Sequence, residues 1–195
     1  YDGSTFASVD TSGIDKTGIG ILAGDAATVS ISATGAFSDK NVGSAKTVNL
    51  TISVSGANAG NYIFTEQASA TANITPKGLT ATVSASNKEY DGTRAAATAL
   101  TLSGLVGSET LNASAGSTFS TKAVGTGKTV TVNSVTLVNG TNGGLASNYS
   151  LAAGQTTTAD ITAKPITLSG ITALDKIYDG STFASVDTSG IDKTG

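Results

Sequence analysis

The chain has 195 residues and a net charge of −3, and it contains no Cys, Met, Trp or His. An acidic balance argues against nucleic acid or an anionic membrane as the partner, because both attract basic surfaces. Without Cys, the sequence offers no disulfide and no thiol nucleophile. Without His, it has no imidazole that could act as a general base or a metal ligand. More than half of the residues are Gly, Ser, Thr or Ala and only 13% are charged, which favours β-structure with a thin core over disorder.

The chain repeats itself. Residues 1–18 recur without a change as residues 178–195, and a divergent third copy begins at Tyr90. Each copy opens on a Tyr-Asp-Gly motif. The spacing of about 90 residues is that of a small domain and is too long for one turn of a solenoid.

Period-two alternation of apolar and small polar residues predicts strands along both longer copies. The clearest segments are 27–33, 48–54 and 79–85. In the second copy the apolar phase changes between Val132 and Val135, which predicts a β-bulge. The Ala-rich stretch Arg94–Leu100 is compatible with a single helical turn.

The strand that precedes each Tyr-Asp-Gly motif sets the boundaries between copies. We predict three units, called here repeat one, repeat two and the tail. Repeat one is residues 1–77 and lacks its first strand, repeat two is the complete unit 78–164, and the tail is residues 165–195, the start of a third unit. The short Pro-containing junctions predict a semi-rigid array.

The predicted fold class is therefore all-β, with small antiparallel β-sandwich (Ig-like) domains placed end to end. A β-grasp-like sheet is the alternative.

All five tyrosines lie on repeated motifs, Tyr-Asp-Gly or Asn-Tyr. Asp-Gly is a turn signal, because Asp bonds the nearby backbone and Gly accepts positive φ. We expect each tyrosine ring to pack at a sheet edge with its hydroxyl hydrogen-bonded, in preference to a sugar-stacking role. The structural motif residues are Tyr1, Asp2, Gly3, Tyr90, Asp91, Gly92, Tyr178, Asp179, Gly180, Asn61, Tyr62, Asn148 and Tyr149.

No catalytic, cofactor-binding or metal-binding residues are predicted. The three glutamates, Glu66, Glu89 and Glu109, have no partner identifiable from their spacing, so paired-carboxylate hydrolysis is not expected. The aspartates are too widely spaced for a calcium loop. We therefore expect a protein that is not an enzyme and needs no cofactor.

The motifs, taken in order, resemble a known domain type. Asn87–Thr93 and Asp175–Ser181 surround Tyr-Asp-Gly, and Phe37–Gly43, Gly60–Tyr62 and Ile74–Lys77 follow. Together they resemble the YDG and MBG-type repeats of large bacterial secreted adhesins, many of them filamentous-haemagglutinin-like and exported by two-partner secretion.

The resemblance implies a stalk or spacer segment of a bacterial cell-surface adhesin or extracellular fibre, such as those of a biofilm matrix. The expected partners are neighbouring copies of the same repeat, by strand complementation or lateral assembly, with no nucleic acid and no membrane insertion. The alternative function is a module that binds glycans or extracellular matrix.

Overall fold

A computed structural model describes residues 1–191. Its regular structure is strand with two single-turn 3-10 helices, and the prediction of an all-β fold is confirmed. In chain order the strands are β1 Phe6–Ala7, β2 Ser30–Phe37, β3 Gly43–Ser55, β4 Ser69–Ile74, β5 Lys77–Gly78, β6 Thr80–Ala85, β7 Lys88–Glu89, β8 Ala95–Ala96, β9 Thr98–Ser103, β10 Leu111–Phe119, β11 Gly125–Asn139, β12 Tyr149–Ser150, β13 Thr156–Thr162, β14 Thr172–Ala173 and β15 Val186–Asp187. The 3-10 helices are Ala59–Asn61 and Ala146–Asn148.

The two repeats build corresponding antiparallel sheets. In repeat one the strand order is β1-β2-β3-β4, and in repeat two it is β8-β10-β11-β13, to which β7 adds in parallel. Their registers agree: Ala7 lies opposite Gly35, and the equivalent Ala96 lies opposite Ser117. The shared alternation of apolar and polar residues thus gives the same central sheet twice.

Repeat two carries a second layer. Strands β6 and β9 pair antiparallel, with Val83 opposite Leu100 and Ala85 opposite Thr98. Ala85 packs on the buried cluster of the five-stranded sheet, which consists of Phe119, Val130, Ala159 and Ile161. The tail forms a short version of the same pair, β14 with β15.

Two local expectations have clear outcomes. The predicted bulge is confirmed, because the β10–β11 register shifts after Gly116 and leaves Asn133 without an opposite residue. The helical turn over Arg94–Leu100 is wrong: these residues form β8 and the start of β9, since pairing with β10 and β6 outweighs the weak helix preference of alanine. Residues 1–191 contain no helix with the length and apolarity needed to cross a membrane.

Candidate functional site

A buried carboxylate joins the two repeats. The Glu109 side chain belongs to repeat two and is almost fully buried. Its Oε1 accepts hydrogen bonds from the Tyr1 hydroxyl at 2.6 Å and the Lys40 ammonium at 3.0 Å, both from repeat one. Its Oε2 accepts a hydrogen bond from the Tyr149 hydroxyl at 2.7 Å. That hydroxyl in turn accepts a hydrogen bond from the Val106 amide at 3.0 Å. We call Glu109, Tyr1, Lys40 and Tyr149 the Glu109 cluster.

The electrostatics of the cluster favour an ionised Glu109. Burial opposes ionisation, but the hydrogen bonds from Tyr1, Tyr149 and Lys40 outweigh it, so the Glu109 pKa is lowered. Burial and the hydrogen bond to Glu109 raise the pKa of both Tyr1 and Tyr149. The cluster therefore holds one charge pair and two neutral phenols near neutral pH, an arrangement suited to binding and not to proton transfer.

The turn residues bring these groups together. The Glu109 amide donates to the Val106 carbonyl at 3.0 Å, closing a turn in which Gly107 has φ 53°. Gly3, with φ 83°, lies so close to this turn that a Cβ there would be 2.6 Å from Val106 Cγ1. The Tyr1 and Tyr149 rings meet edge to face with their centroids 5.4 Å apart. Because Gly3 has no side chain, the backbone of this Tyr-Asp-Gly motif can lie close to Val106, and Tyr1 can reach Glu109.

A buried asparagine forms a second contact between the repeats. Asn148 is completely buried. Its Oδ1 accepts the Val42 amide at 2.9 Å, and its Nδ2 donates to Asn41 Oδ1 at 3.0 Å. Because both ends of the amide are satisfied across the boundary, Asn148 fixes the orientation of repeat two on repeat one.

The backbone of the junction is also paired. Strand β5, where the repeats meet, runs parallel to β12, with Lys77 opposite Tyr149 and Gly78 opposite Ser150. The Leu79 amide donates to the Ser150 carbonyl at 2.8 Å. Side-chain and backbone hydrogen bonds therefore converge on the Asn-Tyr motif of repeat two, and we call the whole arrangement the junction.

The Asn-Tyr motif of repeat one occupies a related but open setting. The Tyr62 hydroxyl donates to Asp25 Oδ2 at 2.7 Å and accepts the Leu22 amide at 3.1 Å, as Tyr149 does with Glu109 and Val106. Asn58 Nδ2 donates to Asp25 Oδ1 at 2.6 Å. The hydrogen bond to Asp25 raises the pKa of Tyr62. Asp25 is half-buried, and within residues 1–191 no neighbouring repeat contacts this carboxylate as repeat one contacts Glu109.

The Tyr-Asp-Gly aspartates close local turns. Asp91 accepts the Thr93 amide at 2.8 Å and the Lys88 ammonium at 2.9 Å, and the hydrogen bonds from Lys88 and Thr93 lower its pKa to about 2. Asp179 has the same arrangement with Lys176 and Ser181.

The remaining motif residues fall into two groups. Asp2 accepts the Ser4 amide at 2.8 Å, and Gly92 and Gly180 both have positive φ, as turns of this kind require. In contrast to Tyr1 and Tyr149, the side chains of Tyr90, Tyr178 and Asn61 are exposed. The structure thus assembles Tyr1, Gly3, Asn148 and Tyr149 in one place and leaves their counterparts apart.

The expectation about glutamates concerned a second carboxylate, whereas the partners of Glu109 are two tyrosines and a lysine, which the sequence analysis did not identify. These partners lie 40 to 108 residues away in sequence, so spacing along the chain carries no trace of them. A signal did exist in the repeat alignment. Asp25 and Glu109 are acids that precede the Asn-Tyr motif of their own copy by similar distances, and aligning them predicts a shared tyrosine partner.

The comparisons with known proteins agree with the repeat. A family model described as YDG domain matches the chain twice, over residues 1–72 and 75–159. No curated protein and no solved structure matches the chain.

Proposed function

This chain belongs to the YDG domain family, and we propose from that premise that it is a structural spacer segment of a bacterial cell-surface adhesin or extracellular fibre. Its role would be to give reach and rigidity outside the cell, without catalysis. The resemblance of its motifs to adhesin repeats supports the extracellular setting.

The observation that carries the proposal is the junction. A spacer resists bending only when successive units are held at a fixed angle, and short linkers alone do not ensure this. Here Glu109 binds Tyr1 and Lys40, and Asn148 binds Asn41 and Val42, all across the boundary between the repeats. These buried polar contacts are directional, so they favour one relative orientation over many.

The alternative role in glycan or matrix binding has less support. Sugar-binding sites present aromatic faces to solvent, but Tyr1, Tyr62 and Tyr149 donate their hydroxyls to carboxylates of the protein. The most exposed tyrosine is Tyr178 in the tail. A glycan array tests this role directly: saturable binding that is lost in Tyr178→Ala would favour the adhesive module.

Rigidity is measurable with spin labels, because the chain contains no cysteine. Thr51 and Thr136 are exposed strand residues, one in each repeat, and both accept a cysteine substitution for labelling. Double electron–electron resonance should give a single narrow distance distribution. Glu109→Gln should broaden it, whereas Glu66→Gln, at an exposed glutamate of repeat one, should leave it narrow. A broad distribution in the otherwise unaltered chain would contradict the spacer proposal.

A further inference from the structure

Two strand pairs of repeat two differ from the rest in direction. Strand β5 runs parallel to β12, and β7 runs parallel to β13. All the other strand pairs in residues 1–191 are antiparallel. Both parallel pairs join the segment by which the chain enters repeat two, residues 77–90, to the segment by which it leaves, residues 149–164. We call these the entry segment and the exit segment.

Side chains lengthen the pairing of β7 with β13. The Tyr90 amide donates a hydrogen bond to the Thr162 carbonyl at 2.9 Å. The Asp160 amide donates to Asn87 Oδ1 at 2.7 Å, and the Thr162 hydroxyl donates to the Lys88 carbonyl at 3.3 Å. The exit segment therefore holds β7 along its whole length and for one residue beyond each end.

The side chain of Lys88 fixes β7 to the rest of repeat two. Its ammonium donates to Asp91 Oδ1 at 2.9 Å, to the Thr93 carbonyl at 3.0 Å and to the Thr93 hydroxyl at 3.1 Å. The same ammonium lies 5.5 Å from the centre of the Phe119 ring, which is completely buried. All three ammonium protons thus have acceptors, and β7 cannot slide along β13 without breaking these contacts.

The same lysine arrangement recurs in the tail. The Lys176 ammonium donates to Asp179 Oδ1 at 2.9 Å, to the Ser181 carbonyl at 2.8 Å and to the Ser181 hydroxyl at 3.1 Å. The spacing of Lys, Asp and Ser or Thr around Tyr-Asp-Gly therefore builds this anchor locally, in two different copies of the motif.

The other parallel pair lies at the junction. The Leu79 amide donates to the Ser150 carbonyl at 2.8 Å, and the Leu79 side chain is buried. Tyr149 lies opposite Lys77 and is itself held by Glu109 through its hydroxyl. The entry segment is therefore tied to the exit segment at two places, one near each of its ends.

The direction of a strand pair decides how it responds to tension. Tension along the chain pulls the entry segment towards the N-terminus and the exit segment towards the C-terminus. In a parallel pair these pulls slide the strands lengthwise past each other. The hydrogen bonds lie across the strands, so they share the load and break together. Because the barrier to unfolding sets the rate of forced unfolding, a shared load slows it.

We propose that the two parallel pairs, β5 with β12 and β7 with β13, form a mechanical clamp that keeps repeat two folded when the chain is pulled. Lys88 is the anchor of the clamp. This inference rests on the proposed spacer function, because a spacer that gives reach also transmits pulling forces. It adds a property that a rigid junction alone does not supply, which is resistance to force in one direction.

Pulling the full 195-residue chain in two directions tests the clamp. Gly78→Cys with Ala163→Cys gives handles that slide the paired strands lengthwise. Glu89→Cys with Ala163→Cys gives handles at the same end of β7 and β13, so that this pair opens one hydrogen bond at a time. All three positions are exposed, and no atom lies within 4 Å of a Cβ added at Gly78.

Single-molecule force spectroscopy should show a higher unfolding force for the handles at residues 78 and 163 than for those at residues 89 and 163. The fold and its hydrogen bonds are the same in both chains, so a difference reports the direction of loading. Equal forces, or a higher force for the second pair of handles, would overturn the proposal.

Loss of one hydrogen bond from the clamp supplies a second test. Asn87→Ala removes the acceptor of the Asp160 amide, so it should shift the lengthwise unfolding force downwards and leave the force between residues 89 and 163 nearly unchanged. Asn133→Ala is the matched control. It removes a hydrogen bond to the Thr118 hydroxyl, outside both parallel pairs, and should leave the lengthwise force unchanged. An equal decrease in both variants would indicate a general loss of stability and reject the clamp.

The anchor is tested separately. Lys88→Met keeps an unbranched side chain but removes the ammonium, so the lengthwise unfolding force should fall. Lys122→Met, at an exposed lysine of the same repeat, should not change it. A force that Lys88→Met leaves unaltered would contradict the role of Lys88.

The clamp and the spacer proposal can fail independently, because the spin-label distance between the repeats is measured without load. A narrow distance distribution together with equal forces in the two directions would reject the clamp and leave the spacer. A broad distribution together with direction-dependent forces would reject the fixed junction and leave the clamp within repeat two.

Discussion

Repeat one and repeat two share their central sheet and differ in what covers it. Phe119 is completely buried, whereas its counterpart Phe37 is half-buried and borders an open cleft. The residues are of the same types, so the difference does not arise from the sheet. Strand β6 covers Phe119 in repeat two, and within residues 1–191 no strand corresponds to it in repeat one. In repeat two, the strand that precedes the Tyr-Asp-Gly motif therefore contributes to the burial of the core.

The Asn-Tyr motifs show the same dependence on a neighbour. Asn148 is completely buried because Asn41 and Val42 of the other repeat contact it, while Asn61 lies exposed. The motif is thus a contact surface whose burial reports whether a repeat stands beside it. Amino-acid substitutions in the two repeats test both comparisons.

The largest expected effect is on the covered core. Phe119→Ala should lower the free energy of unfolding by about 3–5 kcal/mol, because it leaves a cavity where Phe119 was completely buried. Phe37→Ala should cost less than about 2 kcal/mol, since that ring already borders the cleft. Urea denaturation followed by circular dichroism measures both. Equal costs would show that the two cores are equally covered in solution.

The second effect concerns the junction. Glu109→Gln should lower the free energy of unfolding by roughly 1–3 kcal/mol. The amide nitrogen of glutamine cannot accept the hydrogen bond that a carboxylate oxygen accepts from a tyrosine hydroxyl. Lys40 contributes little of this, since its side chain is 39% exposed and can return to water. Asp25→Asn is the matched variant, and we expect a smaller cost because, within the described part of the chain, that half-buried carboxylate has two side-chain partners, Tyr62 and Asn58. Tyrosine fluorescence during urea unfolding would rank the two, and a larger loss for Asp25→Asn would contradict the comparison.

Acid should weaken the junction in a defined direction. The pKa of Glu109 is lower in the folded chain than in the unfolded chain. Its contribution to stability is therefore complete above the unfolded pKa of about 4.5 and is lost as the pH falls through the folded value. Asp91 adds a similar loss that ends only near its pKa of about 2. Stability measured from pH 7 to pH 2 should fall less steeply in Glu109→Gln than in the parent chain, and parallel curves would rule out an ionised Glu109.

The all-β fold and most of the strands could be predicted from the sequence, because alternation is a local signal. Residues 48–54 and 79–85 read as strands, and they lie within or around β3 and β6. The phase change after Val132 likewise marked the bulge. The helical turn predicted for residues 94–100 was wrong, because the composition of so short a segment carries no information about the strands that pair with it.

The junction could not be predicted in the same way. Tyr1 and Glu109 are 108 residues apart, and their contact depends on how one repeat sits on the next. The motif pattern marked Tyr1 and Tyr149 as important but gave no partner for either. Only the pairing of Asp25 with Glu109 in the repeat alignment would have pointed to the carboxylate.

The smallest expected effect separates the glycines of two Tyr-Asp-Gly motifs. Gly3 and Gly92 both have positive φ, so alanine should be strained at either position by roughly 1–2 kcal/mol. Only at Gly3 would the new Cβ also meet a side chain, Val106 Cγ1 at 2.6 Å, whereas nothing lies within 4 Å at Gly92. Gly3→Ala should therefore cost about 1 kcal/mol more than Gly92→Ala and should broaden the spin-label distance between the repeats. Equal costs and an unchanged distance would mean that the approach of Gly3 to repeat two does not determine the angle between them.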